Sequence, residues 1–183
     1  MEELIKSIIK PESGLETRII SDPEFITGAM YGKPRRGHPE GAVIYHIGEV
    51  LANIDKYHSD DPDRDALRLI AIVHDTFKNK VNQNLPKQGD NHHGMIAKKF
   101  SEKFFGWGEI LTVIALHDDA YNAWQKGGRH GDWYKAKSRA NALIKTLEGA
   151  DCLELYVKFM RCDGETGDKE NDCYEWLVGL IPF

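Results

Sequence analysis

Apolar residues recur at helical spacing through most of the chain, and in each of five such stretches a histidine or an aspartate interrupts the stripe. Over residues 40–57 the apolar positions Val43, Ile47, Val50, Leu51 and Ile54 share one face, and His46 lies on it. The pair Asp61-Pro62 reads as an N-cap followed by proline at the first helical position. The helix it opens leads through Leu67, Ile70 and Ala71 to His74, with Asp75 beside the stripe and Lys78 one turn beyond. After the polar loop 79–91, helix resumes near His92 with Ile96, Ala97, Phe100 and Phe104 inward, and His93 fits that stripe better than His92. Beyond Gly106-Trp107-Gly108, the residues Ile110, Val113, Ile114, His117, Tyr121 and Trp124 lie on one side of a helix. A long helix over about 133–160 follows, with Ala140, Leu143, Ile144, Leu147, Asp151 and Leu155 on a common face.

The remaining segments read as connections. Residues 1–30 hold a short helix up to Lys10, a Pro-Glu-Ser-Gly break and a brief apolar stretch. Residues 31–41, rich in Gly, Pro and basic side chains, form a loop that feeds the first histidine helix, and 126–132 (KGGRHGD) reads as a flexible loop able to act as a lid. The acidic stretch 162–172 lacks the spacing of a calcium loop and reads as a solvated turn before a last short helix over 174–180. No strand pair, repeat or low-complexity tract is evident, so the fold class is all-α. The 183 residues suit one domain with one core. It divides into an N-terminal helical extension with its loop (1–36), a helical core (37–160) and a C-terminal loop and short helix (161–183).

Charge narrows the partners. With 24 Lys and Arg against 29 Asp and Glu, the net charge of -5 works against a footprint on extended nucleic acid or on anionic lipid. A small nucleotide needs only a local basic pocket. The apolar runs 69–73 and 110–116 fall far short of the ~20 residues that span a bilayer, and the first residues lack a secretory pattern. No membrane association and a cytoplasmic location are therefore expected. Cys152, Cys162 and Cys173 are odd in number without a CxxC pair, which points to reduced thiols.

A polar group on a buried face must be hydrogen-bonded, paired or metal-bound, because leaving it unsatisfied costs several kcal/mol. Any single histidine here is explained by a hydrogen bond in the core; His46, His74, Asp75, His93, His117 and Asp151 together suggest a shared centre. Four imidazoles and two carboxylates suit divalent Fe, Mn, Co, Ni or Zn, with Mg a further candidate. Six ligands exceed what one catalytic ion needs if it keeps positions open, and they divide between two.

The order H…HD…H…H…D resembles the HD-domain superfamily of metal-dependent phosphohydrolases over about residues 37–155, and the segments HPEGAVIYH and VHDTFK are similar to its local text. The resemblance implies a helical bundle of the HD type. It also implies one ion on His46, His74, Asp75 and Asp151, and a second on His93 and His117 with Asp75 bridging. Thr76-Phe77, with no GYP element following, departs from the cyclic-dinucleotide phosphodiesterase branch. The expected reaction is hydrolysis of a phosphate ester or anhydride of a small substrate, a nucleotide among them, with Asp75 and Lys78 as catalytic residues. Lys78, Arg35, Arg36, Arg129 and His130 are the candidates for substrate contacts, although for each a solvated role at the surface is the alternative. Asp118 and Asp119 follow His117 as possible acceptors or proton donors. A mixed-valence di-iron oxygenase and a non-catalytic metal-binding HD module share the same ligand order. The oligomeric state is not legible.

Overall fold

Every regular element among the described residues is helical, in a computed structural model that describes residues 1–34, 39, 41–167 and 172–181. Arg35 and Arg36, two of the expected substrate contacts, lie outside the described residues. The chain opens with α1 (Glu2–Ile9), α2 (Gly14–Ile20) and α3 (Pro23–Ala29). Their starts follow local capping chemistry: the Ser13 side chain accepts from the Glu16 N–H, and Asp22 accepts from the Glu24 N–H with Pro23 next in line. Ile5, Ile9, Ile19, Ile20 and Phe25 from these helices join one core with Ile44, Ile47, Val50 and Ile54 of α4 (Val43–His58).

At the centre lies α5 (Arg64–Val73), buried from Leu67 to its end. It includes Arg68, whose Nε and Nη2 lie 2.8 and 3.0 Å from the two carboxylate oxygens of buried Glu16. A guanidinium out of water needs such a counter-ion, and this one ties α2 to the central helix. The backbone of α3 also presses on the segment after α5: a Cβ added at Gly28 would stand 2.0 Å from the Thr76 carbonyl oxygen. The second half of the chain adds α6 (His93–Ser101), α7 (Gly108–Leu116), α8 (Asp119–Gly128), α9 (Trp133–Gly149), α10 (Leu153–Gly164) and α11 (Asp172–Val178). No helix among the described residues is long and apolar enough to cross a membrane, and the three cysteines are buried free thiols.

The helix expected over 133–160 is in fact two. The chain breaks at Ala150 to Cys152, where Asp151 takes a left-handed conformation with φ 52° and lies exposed. A helical face extrapolated through that break puts Asp151 inward; the real backbone turns it out. Beyond the break α10 continues to Gly164, so the first part of the segment expected as a C-terminal loop is helix. Likewise α8 absorbs Lys126 to Gly128, which leaves only residues 129–132 of the expected lid.

One face of α10 serves three neighbours at spacings of i, i+3 and i+7. The Tyr156 hydroxyl lies 3.2 and 3.1 Å from the carbonyls of Leu116 and His117 and accepts from the Ala120 N–H at 3.2 Å, which braces the α7–α8 corner. The Phe159 ring packs 5.1 Å from the His74 ring, edge to face. Asp163 reaches His46.

Candidate metal centre

The histidines sit at helix ends rather than along helix faces. Because α5 stops at Val73, His74 is its C-cap and Asp75 belongs to the turn that follows, which then enters a single 3-10 turn at Lys78–Lys80. Consecutive residues in a helix diverge by about 100°, and leaving the helix is what lets His74 and Asp75 face one centre. His117 is in the same way the C-cap of α7, His93 is the first residue of α6, and His46 stands in the first turn of α4. Asp163 occupies the last turn of α10. The ends of α5, α7 and α10 carry partial negative charge, which favours a cation between them.

Two histidine pairs face the two oxygens of one carboxylate. His46 Nε2 and His74 Nε2 are 3.3 Å apart, and lie 3.6 and 3.8 Å from Asp75 Oδ2. His93 Nε2 and His117 Nε2 are 3.0 Å apart, and lie 3.1 and 3.4 Å from Asp75 Oδ1. Asp163 Oδ1 stands 3.0 Å from His46 and 3.8 Å from His74, so the first pair has a second acid. Asp118 Oδ2 stands 3.4 Å from His93 on the other side. Lys78 is ion-paired with Asp75 Oδ2.

Backbone partners fix how the rings are turned. His74 Nδ1 is 3.0 Å from the Ala71 carbonyl and His117 Nδ1 is 2.8 Å from that of Ile114, so each donates from Nδ1 to the backbone and turns its Nε2 inward. His92 does the reverse. Its Nδ1 accepts from the Gly94 N–H at 3.2 Å as the cap of α6, which leaves the proton on the Nε2 that faces Asp118. His92 therefore presents an N–H toward Asp118, beside the His93 Nε2 that faces Asp75 at 3.1 Å. Gly94 allows this arrangement, since a Cβ there would stand 2.7 Å from the Ala115 carbonyl oxygen and force α6 away from α7.

Electrostatics match a site built for positive charge. Burial pulls the His74 imidazole down to about 3. His117 is equally buried, yet Asp118 and Asp75 outweigh that burial and push it up to about 9. Burial raises Asp75, but Lys78 and the surrounding histidines hold its carboxyl well below the usual carboxylate range.

The donor set fits a divalent metal. Two nitrogens bound to one ion at ~2.0–2.1 Å stand about 3.0–3.4 Å apart, which is the spacing of both histidine pairs. Among the described residues, groups able to hold an ion include His46 with His74 and Asp75, Asp75 with His93 and His117, and His92 with His93 and Asp118. Of the six expected ligands, five converge. Asp151 does not, and Asp163, read in the sequence as part of a solvated turn, stands where a distal acid was expected.

A cleft of about 840 Å³ opens over the cluster. Lys33, Lys78 and Lys87 give it positive charge; Met30, Tyr31, Pro34, Val43 and Val81 give it apolar and aromatic surface. Gln83 and Lys87 are presented by the loop before α6, which Asn91 organises by accepting from the Asn82 N–H at 2.9 Å and donating to the carbonyls of Asn82 and Pro86, both at 3.0 Å. Arg129 and His130 are not among the residues lining this cleft. Arg129 is engaged with the Tyr121 hydroxyl at 2.9 Å, and His130 is exposed just past the end of α8.

Comparison with known proteins agrees with this geometry. The family model described as HD domain matches residues 43–155. No curated protein and no solved structure matches the chain.

Proposed function

The chain belongs to the HD-domain family, and on that premise we propose that it hydrolyses a phosphate ester or anhydride of a nucleotide or similar small molecule at a two-ion centre. The observation that carries this reading is the Asp75 carboxylate, with one oxygen toward each histidine pair. A carboxylate so flanked is disposed to bridge two ions, the first on His46, His74 and Asp163, the second on His93 and His117. When bound, such ions lower the pKa of a coordinated water toward ~7 and offset charge on phosphoryl oxygens.

The residues around them have separate tasks. Lys78, ion-paired with Asp75 and lining the cleft, is placed to neutralise a phosphoryl oxygen once cations occupy the carboxylate. His92 offers an N–H into the same cleft. Lys33 and Lys87 extend the positive surface outward, and Tyr31 with Met30 and Val81 supplies a face for a planar or apolar group. A phosphate with an attached base or comparable group has both characters. An extended nucleic acid does not suit a chain of net charge -5.

The test is hydrolysis of a panel of nucleoside mono-, di- and triphosphates, dinucleotides and p-nitrophenyl phosphate, read as released phosphate or pyrophosphate and, for dinucleotides, as released mononucleotide, by protein loaded with Mn²⁺, Co²⁺, Fe²⁺ or Zn²⁺, with oxygen uptake recorded in parallel. Metal-dependent hydrolysis is expected. Oxygen consumption without hydrolysis would move the same ligands to the oxygenase reading, and bound metal with neither activity would leave a binding module.

A further inference from the structure

We propose that Asn53 is a positioning residue for Asp163: its carboxamide grips the last turn of α10 on both sides of that aspartate and so holds the carboxylate against His46. The Asn53 side-chain nitrogen donates to the Cys162 carbonyl at 2.9 Å and to the Glu165 carbonyl at 3.1 Å. Both of its hydrogens are thus spent on the residues that bracket Asp163.

The last four carbonyls of a helix lack partners within it, and α10 has no glycine-based cap to supply them. One backbone and two side-chain groups do it instead. The Arg161 carbonyl takes the Glu165 backbone N–H at 3.2 Å, the Cys162 carbonyl takes the Asn53 side chain, and the Asp163 backbone carbonyl takes the Thr166 hydroxyl at 2.8 Å. The chain just beyond is fixed from the same direction, since Glu49 accepts from the Gly167 N–H at 2.8 Å.

His46, Glu49 and Asn53 are spaced i, i+3 and i+7 on α4, so they share a face. One strip of α4 therefore carries the first histidine and also the groups that seat its acidic partner. The 3.0 Å separation of His46 and Asp163 is set by the grip one and two turns along the same helix. Asn53 is the α4 side chain that holds the backbone of α10 on both sides of Asp163, whereas Tyr57 and Glu49 hold the Glu165 side chain and the Gly167 N–H beyond it, so losing its two N–H bonds loosens the turn that carries the aspartate.

This inference rests on the reading of the cluster as a metal centre, and the experiment separates the two. Mn²⁺ binding to the full chain is measured by calorimetry for the wild type, Asn53→Leu, Asp163→Ala and the double variant, with the melting temperature of each metal-free protein recorded. Asn53→Leu is expected to weaken binding about 10–100-fold, the usual effect of losing a group that orients a ligand. Added to Asp163→Ala, it should weaken binding no further, because it acts through Asp163. If Asn53→Leu does not fold, Asn53→Ala takes its place. Wild-type affinity in the asparagine variant, or the same loss with and without Asp163, would overturn the positioning role. A wild type that takes up no Mn²⁺ would overturn the metal reading itself and this inference with it.

Discussion

Asp163 Oδ1 lies 3.0 Å from His46 Nε2, so the acid that meets the first histidine comes from the final turn of α10 and not from the break before it. Asp163→Ala should therefore weaken divalent metal binding by at least the ~10–100-fold that loss of an outer orienting group costs. Asp151→Gly should leave metal content unchanged. It should also raise stability by about 0.5–1 kcal/mol, because glycine accepts the φ of 52° that strains an aspartate. Elemental analysis and urea unfolding of the two variants check both halves.

The proposed bridging role of Asp75, which has one oxygen toward each histidine pair, predicts an unequal loss of metal. His93→Ala or His117→Ala should remove one ion and spare the other, because His46, His74 and Asp163 form a separate group. Asp75→Ala should remove both. Equal metal content in all three variants would refute the division.

Protons and metal compete at His117. Its folded-state pKa of about 9 lies above the ordinary 6.5, so its contribution to metal-free stability is complete below 6.5 and disappears as pH rises through 9. A ligand must shed that proton, so metal affinity should rise across the same window, by about tenfold per pH unit for one displaced proton, and level off above it. His74, pulled down to about 3, is already neutral there. Melting curves between pH 6.5 and 9, with and without Mn²⁺, should diverge as pH rises.

Tyr156→Phe removes the hydroxyl that bonds the α7–α8 corner beside His117 and Asp118. With the backbone groups there left without their partner, the cost is expected at about 1–3 kcal/mol. Denaturant unfolding measures it, and a change below a few tenths would show that the corner holds without the bond.

The periodic stripes were sufficient to read an all-helical chain and to bring out His46, His74, Asp75, His93 and His117, because a buried imidazole stands out in an apolar pattern. They were insufficient for Asp163 for a physical reason. A helical face can be projected only as far as the helix runs, and the projection crossed a break at Ala150 to Cys152. Gly149 was the available signal, since glycine near a helix end often marks its stop. With a new helix started after it, Tyr156, Phe159 and Asp163 fall on one face. Residues 126–132 read as a lid for the opposite reason: glycines 127 and 128 suggest a loop, whereas both belong to α8.

The contact of Gly28 with the Thr76 carbonyl bears on where this molecule can be cut. The match to the family starts at residue 43, but the turn that carries Asp75 rests on α3, and Arg68 depends on Glu16 of α2 for its counter-charge. A fragment trimmed to the matched residues would lack Ile5, Ile9, Ile19, Ile20 and Phe25 of the shared core and strand a buried guanidinium. The unit that supports the histidine cluster is thus longer than the stretch by which its kinship is recognised, and its N-terminal helices are foundation rather than appendage.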